Sequence, residues 1–107
     1  MILDIGTTTV ATAGTEQRLS NTANRVLWLK VKALAGNSNK MYLGVSDVTS
    51  SNGYELAAGN EIEIDFKTAG GSIEFSTVYV DAAADGDKAC WAVVLEGKGD
   101  KSYTIYT

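Results

Sequence analysis

The chain has 107 residues, 45% of them hydrophobic and 21% charged, with a formal net charge of -4. That length holds one domain with enough interior to do without metal or disulfide staples. An acidic surface repels phosphate backbones and anionic lipid, which argues against nucleic acid and membranes as partners.

Met1-Ile2-Leu3 runs straight into Asp4 with no apolar stretch behind it, so no signal peptide is read and synthesis in a cytoplasm is expected. No run approaches the roughly 18 apolar residues needed to span a bilayer. Residues 6–24, GTTTVATAGTEQRLSNTAN, are rich in Thr, Ala, Gly and Asn and offer little to bury. Residues 1–24 are therefore expected as a Thr/Ala-rich arm or edge segment, and 25–107 as the β domain. The arm reads either as an ordered edge strand and loop or as an extension that orders on a neighbouring subunit. In the second case Thr7, Thr8, Thr9 and Val10 are its contact candidates.

From Arg25 the pattern takes a period of two. Leu27, Leu29, Val31 and Ala33 fall on one face, and Val26, Trp28, Lys30 and Lys32 on the other. Trp28, beside two lysines, is a candidate contact residue, since tryptophan is over-represented at interfaces. The turn cluster Gly36-Asn37-Ser38-Asn39 leads into KMYLGVS, where Met41, Leu43 and Val45 alternate with Tyr42, Gly44 and Ser46. Residues 25–46 are accordingly expected to form a β-hairpin. A longer connection follows, with a short strand around Tyr54 to Leu56. EIEIDF then places Ile62, Ile64 and Phe66 inward and Glu61, Glu63 and Asp65 outward. This carboxylate row reads as a solvated sheet face that discourages edge pairing. Nothing in it suggests the pocket that would separate two carboxyl pKa values for glycoside chemistry.

After the Ala69–Ser72 turn, Ile73 to Leu95 is expected to be a central hairpin. Its second run, CWAVVL, is the most continuously apolar segment of the chain. Cys90 within it is expected as a buried core thiol, because a cysteine nucleophile would need a histidine base and the chain has none. The connection DAAADGD departs from EF-hand spacing, so Asp81, Asp85 and Asp87 read as solvated turn residues rather than calcium ligands. Gly97–Asp100 turns the chain into a closing strand, Lys101 to Thr107.

The whole reads as six to eight short strands with little helix signal. The expected fold is a small antiparallel β-sandwich, jelly-roll-like, with an immunoglobulin-like sandwich as the alternative. No enzyme, cofactor or metal site is read.

A resemblance adds to this. VLWLKVKALAGNSNKMYLGVSDVTSSNGYELAAGNEIEIDF, followed by STVYVDAAADGDKACWAVV, resembles small proteins encoded among the structural genes of tailed bacteriophages. The likeness runs over residues 6–95 and includes the Thr/Ala/Gly-rich start, "MYLGVS", "NGYEL" and "VYVDAAADGDKACWAV". Such proteins look like capsid decoration (cement) proteins. The resemblance implies a virion protein made in the host cytoplasm and bound to the outer capsid surface, with the major capsid protein as partner. It also implies a homo-oligomer, a trimer first and a dimer second, and carries over no catalytic or metal residue. The arm and one sheet face would touch the shell. The alternatives are a head-fibre or tail attachment protein, or a carbohydrate-binding module in which Trp28, Tyr42, Tyr54 or Tyr79 stack on sugar rings.

Overall fold

A computed structural model describes residues 2–96; the Gly97–Asp100 turn and the strand expected over Lys101–Thr107 lie outside them. The strands are β1 (Ile2–Thr9), β2 (Gln17–Arg18), β3 (Arg25–Ala33), β4 (Met41–Gly44), β5 (Tyr54–Leu56), β6 (Glu61–Asp65), β7 (Ile73–Glu74), β8 (Tyr79–Ala82) and β9 (Lys88–Leu95). A 3-10 turn, Phe75–Thr77, separates β7 from β8. One sheet has the order β1-β9-β3-β6, with β7 also paired to β3, and the second has the order β2-β8-β4-β5. All pairings are antiparallel.

The expected sandwich forms, and its wrapping is that of a jelly roll. β1 pairs with β9, β2 with β8, β3 with β6 and β4 with β5. The chain is thus one long hairpin, bent between β4 and β5 and rolled until its two halves lie in two facing sheets.

That wrapping overturns two local expectations. β3 and β4 lie in different sheets, so residues 25–46 are not a hairpin; β8 and β9 also lie in different sheets, so neither is the Ile73–Leu95 stretch. The reason is that neither strand of either pair has an edge left for the other: β3 is held between β9 and β6, and β4 between β8 and β5. β9 is held between β1 and β3, and β8 between β2 and β4. The turn-rich segments 34–40 and 83–87 are crossovers from one sheet to the other.

Sequence phase survives this rearrangement, with three local exceptions. In β6 the isoleucines pack against the core while Glu61, Glu63 and Asp65 are exposed. In β3, Leu29, Val31 and Ala33 are buried as expected, but a β-bulge between Val26 and Trp28 inserts Leu27 as an extra residue. Val26 therefore turns inward and Leu27 does not, reversing their expected sides. In β9 the buried residues are Ala89, Trp91, Val93 and Leu95, which leaves Cys90 half-buried on the outer face, not in the core. The continuous apolar run is explained by this outer face, which is itself apolar. Val45 is the third exception: β4 ends at Gly44, the chain turns through Asp47 at φ 70, and Val45 is left exposed.

The interior is built from both inner faces. Val26, Leu29, Val31, Ala89, Trp91, Val93 and Leu95 come from the first sheet, and Met41, Leu43, Leu56, Val80 and Ala82 from the second. Val10, Leu19, Phe75 and Val78 close it between the sheets. Residues 2–24 thus supply an edge strand, two core residues and β2.

Candidate functional surfaces

Among the described residues, apolar surface open to a ligand lies on one sheet face, which carries a shallow concavity, and in a second concavity at the mouth of the sandwich. The face is the outer side of the β1-β9-β3-β6 sheet, and its rows follow from the registers. Leu3, Val94, Trp28 and Asp65 form one row; Ile5, Ala92, Lys30 and Glu63 the next; Thr7, Cys90, Lys32 and Glu61 the third. The face is therefore graded: apolar over β1 and β9, cationic and aromatic on β3, anionic on β6. Leu3 and Ile5 are 66% and 68% exposed, unusually open for large aliphatic side chains on a strand. A shallow trough of 240 Å³ runs from Ile5 and Ala92 past Cys90 to Lys30, Lys32 and Glu61.

The charged half of this face is internally matched. Lys30 Nζ lies 3.0 Å from Glu61 Oε2, and the Trp28 indole N–H donates to Glu63 Oε2 at 2.7 Å. The hydrogen bond and charge of Glu61 hold the Lys30 ammonium above the usual lysine range. Asp65 accepts from the Thr68 amide at 3.0 Å and the Thr68 hydroxyl at 2.7 Å, closing the turn after β6. Those bonds, the amide first, hold its carboxyl below the usual carboxylate range. The three acids are each engaged with a different group, and no two are posed across a cleft.

Because the folded Asp65 is the stronger acid, its contribution to stability is complete above the pKa of the unfolded chain and lost as pH falls through the folded value. We expect Thr68→Val, which removes the hydroxyl but keeps the amide, to raise the Asp65 pKa toward that of an ordinary aspartate. A carboxyl-carbon NMR titration checks this; an unmoved pKa would mean that the hydroxyl does not hold the charge.

The second concavity is the mouth of the sandwich between the edge strands β5 and β6. It encloses 320 Å³ and is apolar, lined by Leu43, Val45, Tyr54, Ile62, Ile64 and Phe66 among others. Tyr54 stands at its rim, 58% exposed. The other expected contact residues are scattered. Thr7 and Thr9 are exposed on the outer side of β1. The Thr8 hydroxyl points inward, donating to the Leu19 carbonyl at 2.8 Å and accepting from the Trp91 indole at 3.0 Å. Val10 is fully buried and has no surface to offer. Tyr42 is 8% exposed because Val48, in the 45–53 connection, folds over the outer face of the second sheet. Tyr79 shares that face, stacked with Arg18 at 5.7 Å. The four aromatics proposed for sugar stacking thus form no common platform.

Sequence reasoning missed the outward-facing aliphatics, Leu3 and Ile5, on a segment read mainly for its threonines. Their signal is the period-two spacing Leu3, Ile5, Thr7 opposite a strand whose other face must be core.

The Asp-rich connection after β8 has a structural assignment. Asp81 Oδ1 accepts from the Gly14 amide at 3.0 Å, Asp85 Oδ1 from Ala13 at 2.7 Å, and Asp87 takes the Ser38 and Asn39 amides at 2.9 and 3.0 Å. Asp81 and Asp87 are buried rather than solvated, at 3% and 4% exposure. Among the described residues no group of three Asp, Glu, Cys or His side chains converges as a metal site. No described helix is long and apolar enough to cross a membrane.

Comparisons with protein-family models, curated proteins and solved structures find no match.

Proposed function

We propose that this chain is a decoration (cement) protein of a tailed-phage head, acting on the virion surface by binding and without catalysis. The observation that carries the binding reading is the pair of exposed aliphatic side chains Leu3 and Ile5, continued by the half-buried Ala92 and Val94 on the outer sheet face. Apolar surface of that kind gains free energy when a partner covers it. The assignment of that partner as the major capsid protein rests on the resemblance. A protein that binds the assembled shell and not its separated subunits stabilises the shell by mass action, with no further chemistry. The acids of β6 and of the 81–87 connection are in keeping with the reading, since a lysine, an indole, a hydroxyl or backbone amides engage each of them.

The test is co-sedimentation of the purified protein with mature capsids that lack it. Saturable binding at a fixed number of copies per capsid is expected. Ala92→Glu should weaken it by roughly tenfold or more by putting a charge in the contact strip. Ala92 lies directly opposite Lys30, so the new carboxylate has a cation beside it and the fold should be retained. Absence of saturable binding by the folded protein would overturn the proposal.

A further inference from the structure

Among the described residues the four sheet edges are not alike. β2 has two residues and β5 three, too short to template another strand. β6 carries Glu61, Glu63 and Asp65 on its exposed side. Brevity and charge are the ordinary means by which sheet proteins prevent edge-to-edge pairing. β1 has neither protection. It is eight residues long, contains no proline or lysine, and Asp4 is its one charged residue. Among the described residues no strand lies beyond it.

The backbone phase of this edge is also determined. Just past β1, the Val10 amide donates to the Asp87 carbonyl and the Gly86 amide to the Val10 carbonyl, so even-numbered residues turn their backbone groups toward β9. Odd-numbered residues then direct theirs to the open side. The Ile5 amide agrees: it is met by the carboxylate of its own neighbour, Asp4, at 2.9 Å.

We propose that β1 pairs antiparallel with β1 of a second copy, about a two-fold axis at Ile5, joining two sheets, each four strands wide along the order β1-β9-β3-β6, into one continuous sheet. The register follows from charge and phase. With Ile5 opposite Ile5, Leu3 faces Thr7, Asp4 faces Gly6, and the outward amides of Leu3, Ile5 and Thr7 form the hydrogen-bonded pairs. A register shifted toward the chain start would set Asp4 against Asp4, a like-charge pair at close range. In the proposed register the Ile5 carbonyl of the second copy replaces the Asp4 carboxylate on the Ile5 amide, and the two exposed Ile5 side chains cover each other. The lysines of β3 lie five strand spacings from their symmetry mates, about 24 Å, well beyond the screening length of about 8 Å. This assembly is the second of the two that the resemblance implies. The inference rests on the edge alone and stands whether or not a capsid is the partner.

Sedimentation equilibrium of the whole chain up to about 0.1 mM should give a two-chain mass. Ile5→Lys, at a site already exposed, should leave the circular dichroism unchanged and raise the dimer dissociation constant at least about tenfold by opposing like charges on the axis. In a Cys90→Ser background, Ile5→Cys should form an interchain disulfide readily, because opposed hydrogen-bonded residues lie about 5.5 Å apart at Cα. Leu3→Cys, facing Thr7, should not. A one-chain mass for the parent protein, a dimer indifferent to Ile5→Lys, or equal cross-linking at both positions would overturn the proposal. Capsid binding by a stable monomer would separate its failure from that of the decoration reading.

Discussion

Trp91→Ala should lower the unfolding free energy by about 3–5 kcal/mol, the largest loss expected from any single truncation in this chain. Trp91 is 9% exposed, and its ring meets Phe75 edge to face, centroids 5.0 Å apart at 87°. Its indole N–H also donates to Thr8, which in turn donates to Leu19, so one side chain ties β9 to β1 and to the segment leaving β2 of the second sheet. Truncation leaves a cavity between rigid sheet faces that cannot collapse without breaking strand pairing. Urea unfolding followed by circular dichroism measures the loss, and a value below about 1.5 kcal/mol would mean that the ring is not a core element.

Gly6 provides the internal control. It lies opposite Trp91 in the β1–β9 ladder, and a Cβ there would sit 2.4 Å from the ring. Gly6→Ala should therefore cost about 1–3 kcal/mol as overpacking. In the Trp91→Ala background the same change should cost little, because the obstructing ring is gone. The coupling is the informative quantity, since additivity within about 0.5 kcal/mol would show that the two residues do not meet.

The pair also shows where sequence reading stops. The period-two patterns of residues 25–33 and 61–66 disclosed which faces are buried, because burial phase is a property of a single strand. Partner choice is not. In a jelly roll, of the four pairs that define the wrapping, β4 with β5 alone joins sequence neighbours, so the turn clusters at 36–39 and 81–87 looked like hairpin turns but are crossovers between sheets. The bulge at Leu27 was equally hidden, because its cause is the register with β9 some 70 residues away. For the candidate surface, Trp28 and the β6 acids were legible as outward residues. Leu3 and Ile5 were not, since the period-two spacing of β1 does not tell its outward face from its inward one until the partner strand is known.

At the crossover end of the sandwich the largest effect should come from a carboxylate. Asp87→Ala is expected to cost about 2–4 kcal/mol, because hydrogen bonds to a charged acceptor are strong and both amides are left without one. Asp87 is 4% exposed and receives the Ser38 and Asn39 amides, one on each oxygen. Those amides belong to the β3–β4 crossover, which has no ladder to satisfy them. Asn37 adds a fork to the Lys88 backbone, donating at 2.8 Å and accepting at 2.9 Å, so the crossovers into β4 and β9 are joined side by side. Asp87→Asn keeps one acceptor oxygen and turns an amide group against a backbone N–H, and should retain about half the loss. Asp85, holding one exposed amide, should cost under about 1 kcal/mol when truncated. That ranking separates loop fastening from cation binding. If these acids held calcium, adding it would raise the melting temperature by mass action and chelation would lower it. With the oxygens of Asp87 already taken by backbone amides, we expect neither shift, and we expect amide hydrogen exchange at Ser38 and Asn39 to accelerate in Asp87→Ala while Trp91 stays buried. A calcium-dependent rise in melting temperature that Asp87→Ala abolishes would reverse the assignment and make this connection a metal loop.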